Sequence, residues 1–170
     1  MEDDKATLER FRVHELIGRY VDALNHRDWE SYADCWTEDC IFEMTVAESE
    51  TPVSEKMTTT QRPIGVRTEN RDGILKLVST YNRYPWLFQI PSAVVVELQD
   101  DRNAKVRQVL QVTSNSLYLI GICYDHAVKQ ADGKWRLAHR DYRPSYWEPR
   151  EQMPGFVTRT MPDHNYRNLP

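Results

Sequence analysis

The apolar period of this chain changes partway along it. Between residues 7 and 27, Phe11, Leu16, Ile17, Tyr20, Val21 and Leu24 recur three and four apart, and Glu9, Arg12, Glu15, Arg19 and Asp22 fill much of the remainder. That spacing predicts an amphipathic helix, with Thr7 available as its N-cap. From Ser92 onward the reading changes to strands: 92–98, 105–118 and onward to 129, and 134–142. Between them stand Asp100-Asp-Arg-Asn103 and Ala131-Asp132-Gly133, residues suited to hairpin turns, the latter because Gly accepts a positive φ. Helices first and antiparallel strands afterwards predict an α+β chain, not an alternating α/β one. The run from Tyr118 to Val128 is apolar on both faces, so both faces are expected to be covered.

The remaining segments fit this plan. A short second helix is predicted from Asp28, with Trp29, Tyr32, Ala33 and Trp36 on its apolar side, followed by a Thr37-Glu-Asp39 turn and a strand over 40–46. Residues 47–62 are polar and hydroxyl-rich without a period, and read as a long loop. A brief strand at 63–66 leads to a third helix over 71–81, marked by Ile74, Leu75, Leu77 and Val78, which ends at the Tyr84-Pro-Trp86 break. Five prolines from Pro144 to Pro170 predict an irregular tail over 144–170. The length of 170 residues suits one domain with a substantial core.

Composition narrows the functional classes. A net charge of −4 argues against a nucleic-acid surface. The charged opening Met1-Glu-Asp-Asp-Lys5 does not read as a signal peptide, and no apolar run approaches the roughly 20 residues that span a bilayer. Cys35, Cys40 and Cys123 lack metal-type pairing, and Cys35 and Cys40, in an apolar context, read as buried reduced thiols, so a cytoplasmic location is expected. There is no HExxH or CxxC for a metal, no GxGxxG or P-loop for a nucleotide and no GxSxG for a serine hydrolase, so no cofactor is expected.

Two groups of residues carry a family resemblance. Leu16-Ile-Gly-Arg-Tyr-Val-Asp-Ala-Leu-Asn-His-Arg-Asp-Trp29, followed by Trp36-Thr-Glu-Asp-Cys-Ile-Phe42, resembles the opening helix, Asp-Trp corner and first strand of the SnoaL-like branch of the nuclear transport factor 2-like superfamily. Leu119-Ile-Gly-Ile-Cys-Tyr-Asp125 and Asp132-Gly-Lys-Trp-Arg-Leu-Ala-His-Arg140 resemble its last two strands. The likeness covers about residues 10 to 143 of a single 1–170 domain. It implies a cone-shaped, strongly curved sheet, cystatin-like, wrapped by three helices from the N-terminal half around a pocket. Scytalone dehydratase, bile-acid dehydratases, polyketide cyclases, limonene epoxide hydrolase and the β subunits of ring-hydroxylating dioxygenases share this architecture, so function rests on the site.

Dehydratases of that family use a His–Asp pair as general base. Aligned on Arg27-Asp28-Trp29, the Asp position falls on Asn25 and the His position on Phe88 or Gln89, none of which accepts a proton at neutral pH. Strict alternation along the last strand would put Trp135, Leu137, His139, Asp141 and Arg143 on one face. Bile-acid dehydratases resemble this chain in an Arg near position 143 and a Tyr at position 20, so that face is expected to line the pocket. Asp141 could hold His139 in one tautomer; the alternative is a hydrogen-bonded structural trio at the sheet edge. The same alternation groups Tyr118, Ile120, Ile122, Tyr124 and His126, and the family pattern points Ile122 and Tyr124 into the cavity.

The candidate catalytic residues are therefore Tyr20, His139, Asp141 and Arg143. The candidate substrate-binding residues are Asn25, Trp36, Phe88, Gln89, Tyr118, Ile122, Tyr124 and His126, with Glu43 and Gln111 as weaker ones. Tyr20 and Tyr124 would polarise an oxygen or, alternatively, simply pack. Tyr146, Trp147 and Phe156 could cap the pocket or pack on a neighbouring subunit. The leading expectation is a cofactor-independent acid–base enzyme that dehydrates, isomerises or cyclises a hydrophobic oxygenated molecule such as a polyketide, terpenoid or steroid, working as a homodimer or homotrimer. The other is a non-catalytic binding or assembly domain. The absent dyad and a looser similarity of Arg83-Tyr-Pro-Trp-Leu87 and Val112-Thr-Ser-Asn115 to dioxygenase β subunits favour it.

Overall fold

A computed structural model describes residues 2–44, 65–84 and 86–149. Helix α1 (Glu2–His26) begins five residues before the expected start, and Val13, Leu16, Ile17, Tyr20, Val21 and Leu24 form its buried stripe. Phe11, expected in that stripe, lies 62% exposed. The buried residue a turn from Val13 is instead Glu9, whose carboxylate accepts from Trp135 Nε1 at 2.7 Å and from Lys129 Nζ at 2.8 Å. One acidic side chain thus ties the start of the helix to the last hairpin.

The Asp-Trp corner has a specific physical basis. Arg27 takes φ 57°, and the amides of Arg27 and Asp28 donate back to the carbonyls of Leu24 and Ala23, closing α1. Asp28 then caps α2 (Trp29–Asp34), accepting from the Ser31 amide at 3.1 Å and the Ser31 hydroxyl at 2.6 Å. Strand β1 (Trp36–Met44) follows directly, earlier than expected. Strand β2 (Val66–Glu69), helix α3 (Asn70–Ser79) and a 3₁₀ turn (Thr80–Arg83) lead to β3 (Leu87–Leu98), β4 (Asn103–Ser114), β5 (Leu117–Lys129) and β6 (Trp135–Pro149). The long run expected after residue 105 is two strands, because Asn115-Ser116 turns the chain on the Ser114 hydroxyl, which accepts from the amides of Ser116 and Leu117. Residues 144–149, expected in an irregular tail, extend β6 opposite Leu117 to Gly121. The 47–62 loop, residues 63 and 64 of the expected 63–66 strand and the tail beyond residue 149 lie outside the described residues.

The six strands form one curled sheet that does not close, in the order β2-β1-β6-β5-β4-β3. All pairings are antiparallel except β1 with β6, so the α+β reading holds with a mixed sheet. Helices α1 and α3 pack on its inner face, where Trp36, Cys40, Val106, Leu110, Cys123, Trp135 and Leu137 form the core. The edges are β2, four residues long, and β3, which carries Pro91 and bends at Ala93 (φ 49°), where its register against β4 shifts.

Two more irregularities decide which side chains face inward. At Gly121 the pairing skips Ser145, and a Cβ there would lie 2.3 Å from the Arg143 carbonyl oxygen, so only glycine fits. Near Ala138 the register slips again: Ala127 pairs with Leu137, but His126 pairs with His139. That extra residue reverses the alternation of β6 partway along it.

Candidate functional site

The bulge at Ala138 corrects the expected facing of the last strand. Trp135 and Leu137 point inward as expected; beyond the bulge, Arg140 and Tyr142 take the inner face. His139, Asp141 and Arg143 therefore lie on the outer face, away from the helices, where together with Tyr124 and His126 they border a cavity on that side of the sheet. The His139 side chain is 40% exposed and that of Arg143 58%. Their partners there are local. His139 Nε2 lies 3.3 Å from Glu43 Oε1, Glu43 pairs with Arg67, and Arg143 Nε donates to Asp141 Oδ2 at 2.7 Å.

The second strand face is corrected likewise. On β5 the inner residues are Leu119, Gly121, Cys123, Asp125 and Ala127, so Tyr118, Ile122, Tyr124 and His126 face outward. Tyr118 stacks edgewise on Tyr146 at 6.1 Å, His126 bonds Asn103, and Arg143 lies 4.8 Å above the Tyr124 ring. Phe88 is also outward, beside Trp86. Of the weaker candidates, Glu43 and Gln111 share the outer face.

Tyr20, Trp36, Asn25 and Gln89 are the expected residues that the fold does place on the helix side of the sheet. Tyr20, Tyr32 and Trp36 pack with ring centroids 5.1 to 6.2 Å apart, and the Tyr20 and Tyr32 hydroxyls are 3.4 Å from each other. Asn25 has a different task from the carboxylate it replaces. Its Nδ2 donates to the Gln89 carbonyl at 2.9 Å and its Oδ1 accepts from the Gln89 amide at 2.7 Å, so one side-chain amide clamps one residue's backbone. An amide can make both bonds; an ionised carboxylate can only accept.

The residues that sequence reasoning missed are at the centre of this face. Arg140 Nε and Nη2 donate to the two oxygens of Asp125 at 2.7 and 2.8 Å, and Gln108 Nε2 donates to Asp125 Oδ2 at 2.9 Å. The Arg140 and Asp125 side chains are 1% and 0% exposed. Burial works against the charge of Arg140, but Asp125 outweighs it and holds the guanidinium protonated. The Arg140 guanidinium carbon sits 4.0 Å from the centroid of the Tyr20 ring. Burial pushes the Tyr20 phenol up, with Arg140 opposing, and pushes Tyr32 further up, so both remain donors. Arg140 Nη1, Trp36 Nε1 and Gln108 Oε1 are buried with no partner among the described residues. The available signal was an Asp and an Arg 15 residues apart on either side of a hairpin turn, in otherwise apolar strands.

This arrangement presents hydrogen-bond donors on a protonated, immobilised frame. It suits an oxygen that carries or develops negative charge. Among the described residues no cluster of three His, Cys, Asp or Glu side chains is placed to hold a metal, and no helix is long and apolar enough to cross a membrane.

Comparison with known proteins agrees with this fold. A family model for the SnoaL-like domain matches residues 5–141. A scytalone dehydratase-like protein from Novosphingobium aromaticivorans superposes with a TM-score of 0.68 at 18% identity, covering 88% of this chain and 92% of that one. A hexachlorocyclohexane dehydrochlorinase, LinA-type3 of Novosphingobium barchaimii, gives 0.67 at 16% identity, covering 87% and 94%. A singly substituted form of Rv3472 of Mycobacterium tuberculosis, of unknown function, gives 0.65 at 23%, covering 84% and 75%. The sequence matches no curated protein. With the family model covering most of its length, the curled sheet and its helical cover identify this chain as a member of the SnoaL-like domain family.

Proposed function

We propose that this chain is a cofactor-independent enzyme of the lyase or isomerase type, acting on a hydrophobic, oxygenated small molecule from the inner face of its sheet. The observation that carries the reading is Arg140 Nη1, a charged donor in a fully buried residue that lacks an acceptor among the described residues. Such a group calls for an oxygen, and a substrate carbonyl, enolate or leaving hydroxyl supplies one. In this reading Tyr20 and Trp36 Nε1 add donors beside it, and Arg140 takes the anion-holding part expected of Arg143. Asp125 keeps the guanidinium in place. The dehydratase-like and dehydrochlorinase relatives in the same fold support a lyase. A homodimer or homotrimer is part of the proposal.

A specific observation favours the second reading, a ligand-binding or assembly domain. Beside Arg140, the carboxylate is Asp125, and both of its oxygens are engaged, so no free proton acceptor stands there among the described residues.

The test uses the full chain, a panel of β-hydroxy ketones and nitrophenolates as enolate mimics. Nitrophenolate is expected to bind, and Tyr20→Phe to weaken it about tenfold, the size of one charge-assisted hydrogen bond, while the loss of its contact with the Tyr32 hydroxyl costs the fold about 1 kcal/mol and leaves it intact. Elimination of water from a panel member supports the enzyme; binding without turnover supports the second reading. An absence of binding to the wild-type protein refutes the enzyme and the ligand-binding form of the second reading, and leaves assembly, which co-purification of a partner chain then checks. Sedimentation of a monomer refutes the oligomer.

A further inference from the structure

The outer face of the sheet carries a cavity of about 420 Å³, separated from the inner site by the sheet itself. Its floor is set by strand register. Val95, Arg107, Tyr124 and Asp141 stand side by side across four strands, and Glu97, Lys105, His126 and His139 form the next row. We propose that this cavity is a second binding site, for a small aromatic monocarboxylate, with Arg107 and Lys105 receiving the carboxylate and Tyr124 and Val95 the ring. This proposal is independent of the inner-face reading.

The charge pattern selects the ligand. The ion pairs of this face occupy Arg67, His139 and Arg143, the last held on Asp141 at 2.7 Å. Arg107 and Lys105 take part in none of them among the described residues, although they stand on the same strand two residues apart and point the same way. A guanidinium with its fork open matches a carboxylate in two parallel hydrogen bonds. The acids Glu97 and Asp141 border the same cavity, so a doubly charged phosphate meets repulsion that a monoanion largely escapes.

The apolar part selects the rest. Tyr124 is 41% exposed although it stands on the interior strand β5, and Val95, on the edge strand β3, is 49% exposed beside it. Arg143 already lies over the Tyr124 ring and fixes its orientation, giving a planar molecule a rigid surface to pack on. The volume is within the range of small-molecule sites.

The experiment titrates the full-length chain with benzoate, benzyl alcohol and inorganic phosphate, followed by amide chemical shifts. Benzoate is expected to saturate with a Kd on the order of 1 mM, in keeping with so small a ligand, and the other two to bind at least about tenfold more weakly. Arg107→Met and Lys105→Met, both surface changes, should each lower benzoate affinity about tenfold at unchanged melting temperature, and Tyr124→Ala should do likewise. Tyr20→Phe should leave benzoate affinity as it was. The proposal is overturned by no saturable benzoate binding, by phosphate binding as tightly, or by full affinity in Arg107→Met. A loss confined to Tyr20→Phe would place the ligand on the inner face and overturn it too.

Discussion

Replacing Asn25 with Asp restores the residue type that the family's dehydratases carry, and the structure says that it should weaken the fold. In the native chain, the Asn25 amide donates to the Gln89 carbonyl at 2.9 Å and accepts from the Gln89 amide at 2.7 Å. A carboxylate keeps the second bond, loses the first, and sets a negative oxygen about 3 Å from a carbonyl oxygen that now lacks a donor. One lost hydrogen bond costs about 1 kcal/mol and a half-buried unsatisfied carbonyl about 1 more, so a loss of about 2 kcal/mol at pH 7 is expected. For a domain of this size that is a fall in Tm of about 4–8 °C. The loss should depend on pH in a definite sense. In the Asn25→Asp variant a protonated carboxyl can donate to the Gln89 carbonyl, so folding favours the proton and raises the folded-state pKa above the unfolded value of about 3.9. The stabilising bond is then present below the unfolded pKa and is lost as pH rises through the folded one. Urea midpoints of both proteins from pH 3.5 to 8 check this. Equal stability at pH 7, or a deficit that does not grow with pH, refutes the clamp.

Other predictions follow from buried groups. Arg140→Met leaves Asp125 charged and unpaired in the core and should cost about 3–5 kcal/mol in chemical denaturation, whereas adding Asp125→Leu should recover most of it; an additive double variant refutes the coupling. Although burial pushes the Glu9 carboxyl up, hydrogen bonds from Lys129 and Trp135 lower it overall. Its stabilisation is therefore complete above the unfolded pKa and lost as pH falls through the folded one, so Glu9→Gln should be less stable than the native chain at pH 7, with the gap closing in acid. Burial pushes the thiols of Cys35 and Cys40 up to about 11 and that of Cys123 up to about 12. Ellman's reagent at pH 8 should label none of the three until denaturant is added; prompt labelling of the native protein refutes their burial.

The architecture was legible in the sequence because its signals are local. The three- and four-residue spacing from Leu16 to Leu24, the helix start at Asp28 and the Asp132-Gly133 turn each depend on a few neighbouring residues, and each has its expected counterpart in the fold. Facing along a strand is different, because an error of one residue propagates to everything after it. Strict alternation from Trp135 is right for Leu137 and wrong from His139 onward, and no residue type at Ala138 announces the bulge. The second misjudged face came from the family pattern, which pointed Ile122 and Tyr124 inward. Asn25 reads in the sequence as a missing carboxylate, but its clamp on Gln89 spans 64 residues and is invisible locally. Pro144 and Pro149 point to a tail, yet β6 continues to Pro149 opposite Leu117, and at Pro144 it does so because Gly121 across the ladder gives the chain room.

The bend in β3 at Ala93 also bears on how molecules meet at high concentration. A foreign strand laid along this free edge could continue the ladder only to the shift after Ser92, and at Pro91 it would find no amide hydrogen to accept. The other rim, β2, is only four residues long. Among the described residues, edge-to-edge stacking into fibrils is thus discouraged at both margins, by backbone geometry at β3 and by shortness at β2, without relying on surface charge to keep copies apart.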